Sequence, residues 1–200
     1  MDLALVLAVD CSYSVDGDEF QFQMQSIAEA LRSKDVMALI RSGSHGSIAI
    51  VLLEWSGEGE QRAATPWAKI ASEGDITAFT ELLARTPRLE AGYTSISGAI
   101  GEGLSVLARS PYPAARRVID ISTDGVNNDG EPPDRLRDLA ARAGVTVNGL
   151  AITREVPYLD LYFEHHVITG PGSFVLKADN RLAFRVAMKR KLLKEIQPVS

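Results

Sequence analysis

The sequence predicts an α/β fold: a three-layer, doubly wound sandwich around a mostly parallel six-stranded sheet of order 3-2-1-4-5-6, with one antiparallel edge strand. Three observations carry this expectation. Apolar runs of strand length alternate with segments of helical period almost from end to end. The runs are rich in branched residues and lack polar alternation, as strands buried on both faces do. One short hairpin interrupts the alternation after the second run, and a Pro within it suits a sheet edge. The 200 residues fit a single domain, 1–200, with room for a substantial core.

The first strand is Leu3-Ala4-Leu5-Val6-Leu7-Ala8-Val9, and it ends abruptly in Asp10-Cys11-Ser12-Tyr13-Ser14. From Asp16 the pattern turns helical, with Phe20, Met24, Ile27, Ala28 and Leu31 on one face. Asp16 and Glu19 have the spacing of a capping box. A short helical piece, Val36 to Ile40, ends at Gly43, and Ser47 to Trp55 holds the second strand. Ser56-Gly57-Glu58-Gly59 turns the chain into a hairpin partner, Gln61 to Trp67, in which Pro66 cannot donate to a ladder. Trp55 and Trp67 are expected to pack against the sheet.

Ile76 to Arg85 is a helix stopped by Pro87. The loop Glu90-Ala91-Gly92-Tyr93-Thr94-Ser95 leads into a helix with Ile96, Ile100, Leu104 and Leu107 apolar. Gly98, Gly101 and Gly103 weaken that helix, so they imply close packing against a strand or loop. Arg117 to Ser122 is the fourth strand, followed by the turn Thr123-Asp124-Gly125. Pro133 opens a helix that stops at Gly144. Val145 to Ile152, a helix over Tyr158 to His166, the strand Ser173 to Lys177 and the helix Asn180 to Ile196 complete the order.

Composition narrows the function. Hydrophobic residues make up 46% and charged residues 24%, the balance of a globular protein. A net charge of −5 argues against nonspecific binding to nucleic acid or anionic membrane, both of which need a positive field. Cys11 is the single cysteine, which excludes an internal disulfide and a multi-cysteine zinc site. No stretch is long enough to span a bilayer. Leu3 to Val9 lacks a basic leader and a small-residue cleavage site, so it is not a signal peptide. A strand so close to Met1 fits either a natural start or a chain whose export signal has been removed.

Open α/β sheets bind ligands beyond the carboxyl ends of their strands. Three loops lie at such ends or face them. The first carries Asp10, Ser12 and Ser14, the second Thr94, and the third Asp124. In the predicted strand order the first and fourth strands are neighbours, so Asp10 and Asp124 face one crevice and repel unless a cation lies between them. Two carboxylates and three hydroxyls, with no soft ligand, suit a hard divalent ion, Mg2+ or else Mn2+ or Ca2+. The plainer alternative for the first motif is a polar turn and helix cap.

Asp-x-Ser-x-Ser after the first strand, a middle-loop Thr and an Asp-Gly after the fourth strand together resemble the von Willebrand factor type A (vWA) domain. The resemblance covers essentially the whole chain and implies a Rossmann-like vWA fold. It also implies that Asp10, Ser12, Ser14, Thr94 and Asp124 form a metal-ion-dependent adhesion site, or MIDAS. The run Arg116 to Ser122, with Ile168 to Phe174, looks closest to a bacterial, functionally uncharacterised branch whose members usually carry an export signal; this implies a periplasmic or secreted protein where such a signal has been removed, and a cytoplasmic one otherwise. The implied activity is binding and not catalysis. Neutral hydroxyl ligands leave a metal much of its charge, and a partner protein's Asp or Glu completes its shell. Tyr13, Tyr93, Val126 and Asn127 on the same loops are the expected rim of that interface.

The rival is a metal-dependent hydrolase or phosphotransferase, which needs a general base or nucleophile beside the same ion. His45, His165 and His166 all fall outside the three loops, and Cys11 reads as a buried small hydrophobe. A third reading is a structural domain with a vestigial site, which five intact ligand positions oppose. Asp120 and Glu54 lie near strand ends as outer acceptors or solvated edge residues, with Glu54 expected to be solvated. The basic residues of the last helix, Arg181, Arg185, Lys189, Arg190, Lys191 and Lys194, spread around its axis and predict a solvated helix.

Overall fold

The computed structural model describes residues 1–89 and 92–197. Glu90 and Ala91, expected in the loop before the glycine-rich helix, lie outside the described residues. The elements run β1 (Leu3–Asp10), α1 (Gly17–Leu31), α2 (Lys34–Ser42), β2 (Ile48–Trp55), β3 (Gln61–Ala63), β4 (Ala68–Ile70), α3 (Glu73–Arg85) and α4 (Ile96–Ala108). They continue with β5 (Arg116–Thr123), α5 (Asp134–Arg142), β6 (Thr146–Ile152), α6 (Leu159–His166), β7 (Val175–Ala178) and α7 (Arg181–Ile196).

The sheet order is β3-β2-β1-β5-β6-β7, with β4 also pairing β2. β1, β2, β5, β6 and β7 are parallel, and β3 and β4 run antiparallel to β2. This is the predicted order, except that the expected third strand, Gln61 to Trp67, is split. The reason is local. Ala64 N donates to Leu52 O at 2.8 Å, and the Thr65 hydroxyl then accepts from Leu52 N at 3.0 Å. A side chain replaces one rung of the ladder, Pro66 sits in the break, and pairing resumes at Ala68.

Every residue of β1 is buried, and its side chains alternate between two cores. Leu3, Leu5, Leu7 and Val9 face the layer of α1, α2, α3 and α7. Ala4, Val6 and Ala8 face the layer of α4 and α6. Small residues on the second face let α4 approach closely. A Cβ on Gly103 would stand 2.8 Å from Ile119 Cδ1, and one on Gly98 would stand 2.5 Å from Gln61 Nε2. Gly101 meets Leu136 at an ordinary 3.6 Å. Trp55 is fully buried and Trp67 packs against the second core.

The helix ends follow their caps. Asp16 accepts from Glu19 N at 2.8 Å, one half of the expected capping box. Ser72 and Asp75 form a complete box at the start of α3. Among the described residues no helix is long and apolar enough to cross a membrane.

Two expectations about charge are corrected. Glu54 is fully buried, not solvated; it stands opposite Arg62 on β3, whose Nε and Nη2 reach Glu54 Oε2 at 2.9 and 2.7 Å. Lys191 is not part of a solvated helix face. It is fully buried and paired with Asp120, itself 2% exposed. Asp120 and Asn148 are register neighbours on β5 and β6, so both side chains point to the layer of α7. There they meet Lys191 and Glu195, which lie one turn apart on one face of that helix.

Candidate metal centre

The loops after β1 and β5 leave the sheet toward opposite layers, α1 on one side and α5 on the other, which opens a crevice between neighbouring strands. Asp10 is the last residue of β1 and is fully buried. Its Oδ1 accepts from Ser12 N at 2.7 Å, an Asx turn that fixes the first loop. Its Oδ2 accepts the Thr123 hydroxyl. Ser12 Oγ lies 3.3 Å from Ser14 Oγ, and Ser14 Oγ donates to Asp124 Oδ1 at 2.6 Å. Four of the five predicted residues thus form one chain of hydrogen bonds. Thr94, 5% exposed, enters from the middle loop beside Gly125, where an added Cβ would lie 3.5 Å from its hydroxyl.

Residues that the sequence reading passed over hold the three loops together. Arg88 Nη2 donates to the carbonyls of Cys11, Ser12 and Val15, bracing the first loop. Thr94 N donates to Asn128 Oδ1 at 2.8 Å, while Asn128 N donates to Thr94 O at 2.9 Å. Tyr13 N donates to Gly92 O, and Ser95 N to Ser56 O. Glu58 N donates to Asp129 Oδ2. Thr123 had a readable signal in its place directly before Asp124 at the end of the fourth strand, and the observed register sets it beside Asp10. Arg88 had none, because its bonds go to backbone more than seventy residues away.

The expected rim divides in two. Tyr13 and Tyr93 are 71% and 64% exposed and meet edge to face at 6.3 Å between ring centroids. Val126 packs against the second core. The Asn127 amide is used internally, accepting from Ser97 N and donating to the carbonyls of Asp129 and Glu131.

Charge accumulates in the crevice. Burial, followed by the charge of Asp124, pushes the Asp10 carboxyl up to about 6. Burial, followed by the charges of Glu155 and Glu19, raises Asp124 despite the Ser14 hydrogen bond. Burial first, then Glu54 and Asp10, pushes the Cys11 thiol up to about 12, which makes it inert and confirms its packing role. Among the described residues no three His, Cys, Asp or Glu side chains gather to hold a metal, so any ion here depends on hydroxyls. The donor set fits one. Oxygens around an ion at about 2.1 Å stand about 3 Å apart in an octahedron. The 3.3 Å and 2.6 Å separations along Ser12, Ser14 and Asp124 straddle that value.

Two of the three histidines are paired elsewhere through their rings. His45 Nδ1 pairs with Asp2 at 3.0 Å, and His166 Nδ1 with Asp134 at 3.2 Å. Arg137 donates to the His165 carbonyl.

The sheet order defines a vWA-type fold, and comparison with solved structures shows the same fold. Proximal thread matrix protein 1 of the mussel byssus superposes with a TM-score of 0.72 at 18% identity, over 98% of this chain and 48% of that one. The pilus adhesin SpaC of Lactobacillus rhamnosus GG gives 0.70 at 14% identity, over 98% and 30%. A von Willebrand factor type A protein of Catenulispora acidiphila gives 0.68 at 16% identity, over 98% and 43%. The chain therefore spans about half, or less, of the length of these proteins. The mussel protein has also been solved with zinc occupying its MIDAS motif. A comparison with curated proteins finds no match. Over residues 1–200 the chain matches the family described as Protein of unknown function (DUF1194), and it belongs to that family.

Proposed function

We propose that this chain is a divalent-metal-dependent binding module of the adhesion or assembly kind. Asp10, Ser12, Ser14, Thr94 and Asp124 would hold the ion. The observation that carries the reading is the run of oxygens from Asp10 through Ser12 and Ser14 to Asp124 in a crevice that burial makes unfavourable for two carboxylates. The same fold in a pilus adhesin, and in a byssus thread matrix protein with zinc in its MIDAS motif, supports it. When bound, Mg2+, Mn2+ or Ca2+ supplies a positive centre only partly neutralised by the chain, open to a carboxylate oxygen from outside. The protein's own part is to fix the loops through Arg88 and Asn128 and to present Tyr13 and Tyr93 as an aromatic rim.

The partner is then another protein offering an Asp or Glu beside apolar surface that covers the two tyrosines. The reading is non-enzymatic, because His45 and His166 are paired outside the crevice and the Cys11 thiol is held neutral. The test is capture of partners from the source cell with immobilised protein, in magnesium and in chelator, for wild type, Thr94→Ala and Asp10→Ala. Capture should fall at least tenfold with chelator and with Asp10→Ala. Equal capture in all arms would sink the proposal, and metal-dependent phosphatase or esterase turnover lost in Asp10→Ala would favour the hydrolase.

A further inference from the structure

Helix α7 has two apolar faces. The inward one, which includes Phe184, Met188, Leu192 and Ile196, belongs to the first core. The outward one is formed by Leu182, Val186 and Leu193. Leu182 is 73% exposed, the highest value for a large apolar side chain among the described residues, and Val186 is 62% exposed. Leu193 is half-buried at the edge of the core. Single exposed apolar residues are ordinary, but a line of them along one helix marks a contact surface.

The spacing is that of a helix seam. Leu182, Val186, Lys189 and Leu193 fall at i, i+4, i+7 and i+11, a heptad pattern with a lysine in one seam position. The seam runs about 16 Å along the helix. A groove flanks it on either side. The one between α7 and β7 encloses about 530 Å³ over Leu176, Ala183 and Ala187. The one between α7 and α1 encloses about 540 Å³ over Ala30 and Leu193. Val186 and Arg190 line both, so α7 stands as a ridge between two grooves, the relief into which a second helix packs.

Charge selects the occupant. Arg181, Arg185, Lys189, Arg190 and Lys194 all reach the surface of α7, whereas its one acid, Glu195, is buried. Arg185 and Lys189 are held by Glu29 and Asp35 of the neighbouring helices, in exposed pairs that contribute little and can be exchanged. Arg190, between the grooves, has no ion pair among the described residues. A second copy of this chain would set these cations against one another. An anionic bilayer would meet the charge, but it takes a broad apolar face with aromatic anchors, and this seam is narrow and wholly aliphatic. A helix with carboxylates beside its apolar seam satisfies both features.

We infer that the outward face of α7 docks an acidic amphipathic helix of another protein. The apolar seam of that helix covers Leu182, Val186 and Leu193, and its carboxylates reach Lys189 and Arg190. The surface shares no residue with the candidate metal centre, so it stands or falls separately from the proposed function.

The experiment titrates the whole chain, in chelator, with a synthetic helical peptide of about three heptads carrying Leu at its seam positions and Glu beside them. The same peptide with Lys in place of Glu is the control. Fluorescence anisotropy should show binding of the Glu peptide, with the Lys peptide at least tenfold weaker. Val186→Glu and Leu182→Glu, both at exposed positions, should each weaken the Glu peptide at least tenfold without changing the circular dichroism spectrum. Arg190→Glu should weaken the Glu peptide severalfold and strengthen the Lys peptide. Sedimentation of the chain alone, and its binding to phosphatidylglycerol vesicles, test the other occupants. Four results would each overturn the inference: the Glu peptide does not bind, both peptides bind equally, the chain forms a dimer that Val186→Glu dissociates, or it binds vesicles in a manner that Val186→Glu abolishes.

Discussion

Ser14 Oγ donates to Asp124 Oδ1 at 2.6 Å, joining the loops after β1 and β5 across 110 residues of chain. The bond ties a hydroxyl from the layer of α1 to a carboxylate that leads into the layer of α5. It exists because parallel pairing of β1 with β5 ends both strands at one level. The same pairing buries Asp10 nearby, so the fold concentrates negative charge where a cation would relieve it.

Stability of the metal-free protein should therefore carry the mark of Asp10. Its carboxyl ionises near 6 in the fold, above the ordinary 3.8, so the native state binds the proton more tightly than the unfolded chain. The resulting cost is absent below about pH 4, grows between pH 4 and 6, and is complete above 6, where it reaches about 3 kcal/mol. Urea unfolding in chelator should find Asp10→Asn more stable than wild type at pH 7.5, with the gap closing toward pH 4. Saturating metal should reverse the order at pH 7.5. A wild type more stable than Asp10→Asn in chelator at pH 7.5 would refute this account of the crevice.

Removing one half of the buried pair under α7 should be severe. Lys191→Met leaves Asp120 and Glu195 buried with no cation between them, and should cost about 3–5 kcal/mol. Adding Asp120→Leu should recover part of that loss, because an apolar pair of similar volume escapes the desolvation penalty while Glu195 stays buried without its cation. Chemical denaturation of the single and double variants measures both.

The middle loop separates the two roles of Thr94. Its backbone N–H and C=O hold the loop through Asn128, while its hydroxyl stands beside Gly125. Thr94→Ala should cost under about 1 kcal/mol of stability and still weaken metal binding. Asn128→Ala deprives Thr94 N of its acceptor and should cost about 1–3 kcal/mol. Paired unfolding and metal titrations would show the split; equal stability losses would contradict it.

Much of this was legible in the sequence. Unbroken apolar runs marked strands buried on both faces, and the doubly wound class that their alternation with helices implies supplied the sheet order. The oxygen residues stood at the ends of two of them, so neighbouring strands had to bring Asp10 and Asp124 together. What the sequence hid depends on contacts between distant segments. Lys191 looked like one of six basic residues spread around a helix, and only the pairing of Asp120 with Asn148 shows why it turns inward. Glu54 looked solvated because its partner, Arg62, lies across a hairpin whose register a sequence pattern does not give. The split of the third strand turned on the Thr65 hydroxyl taking the place of a backbone carbonyl, which no periodicity records.

The most direct measurement is calorimetric titration of metal-free wild type with Mg2+ and Mn2+ at pH 7.5, repeated on Asp10→Ala. The account predicts one site per chain in wild type, accompanied by a rise in Tm, and neither heat nor shift in the variant. No heat and no thermal shift in wild type at millimolar metal, or equal binding by Asp10→Ala, would contradict it.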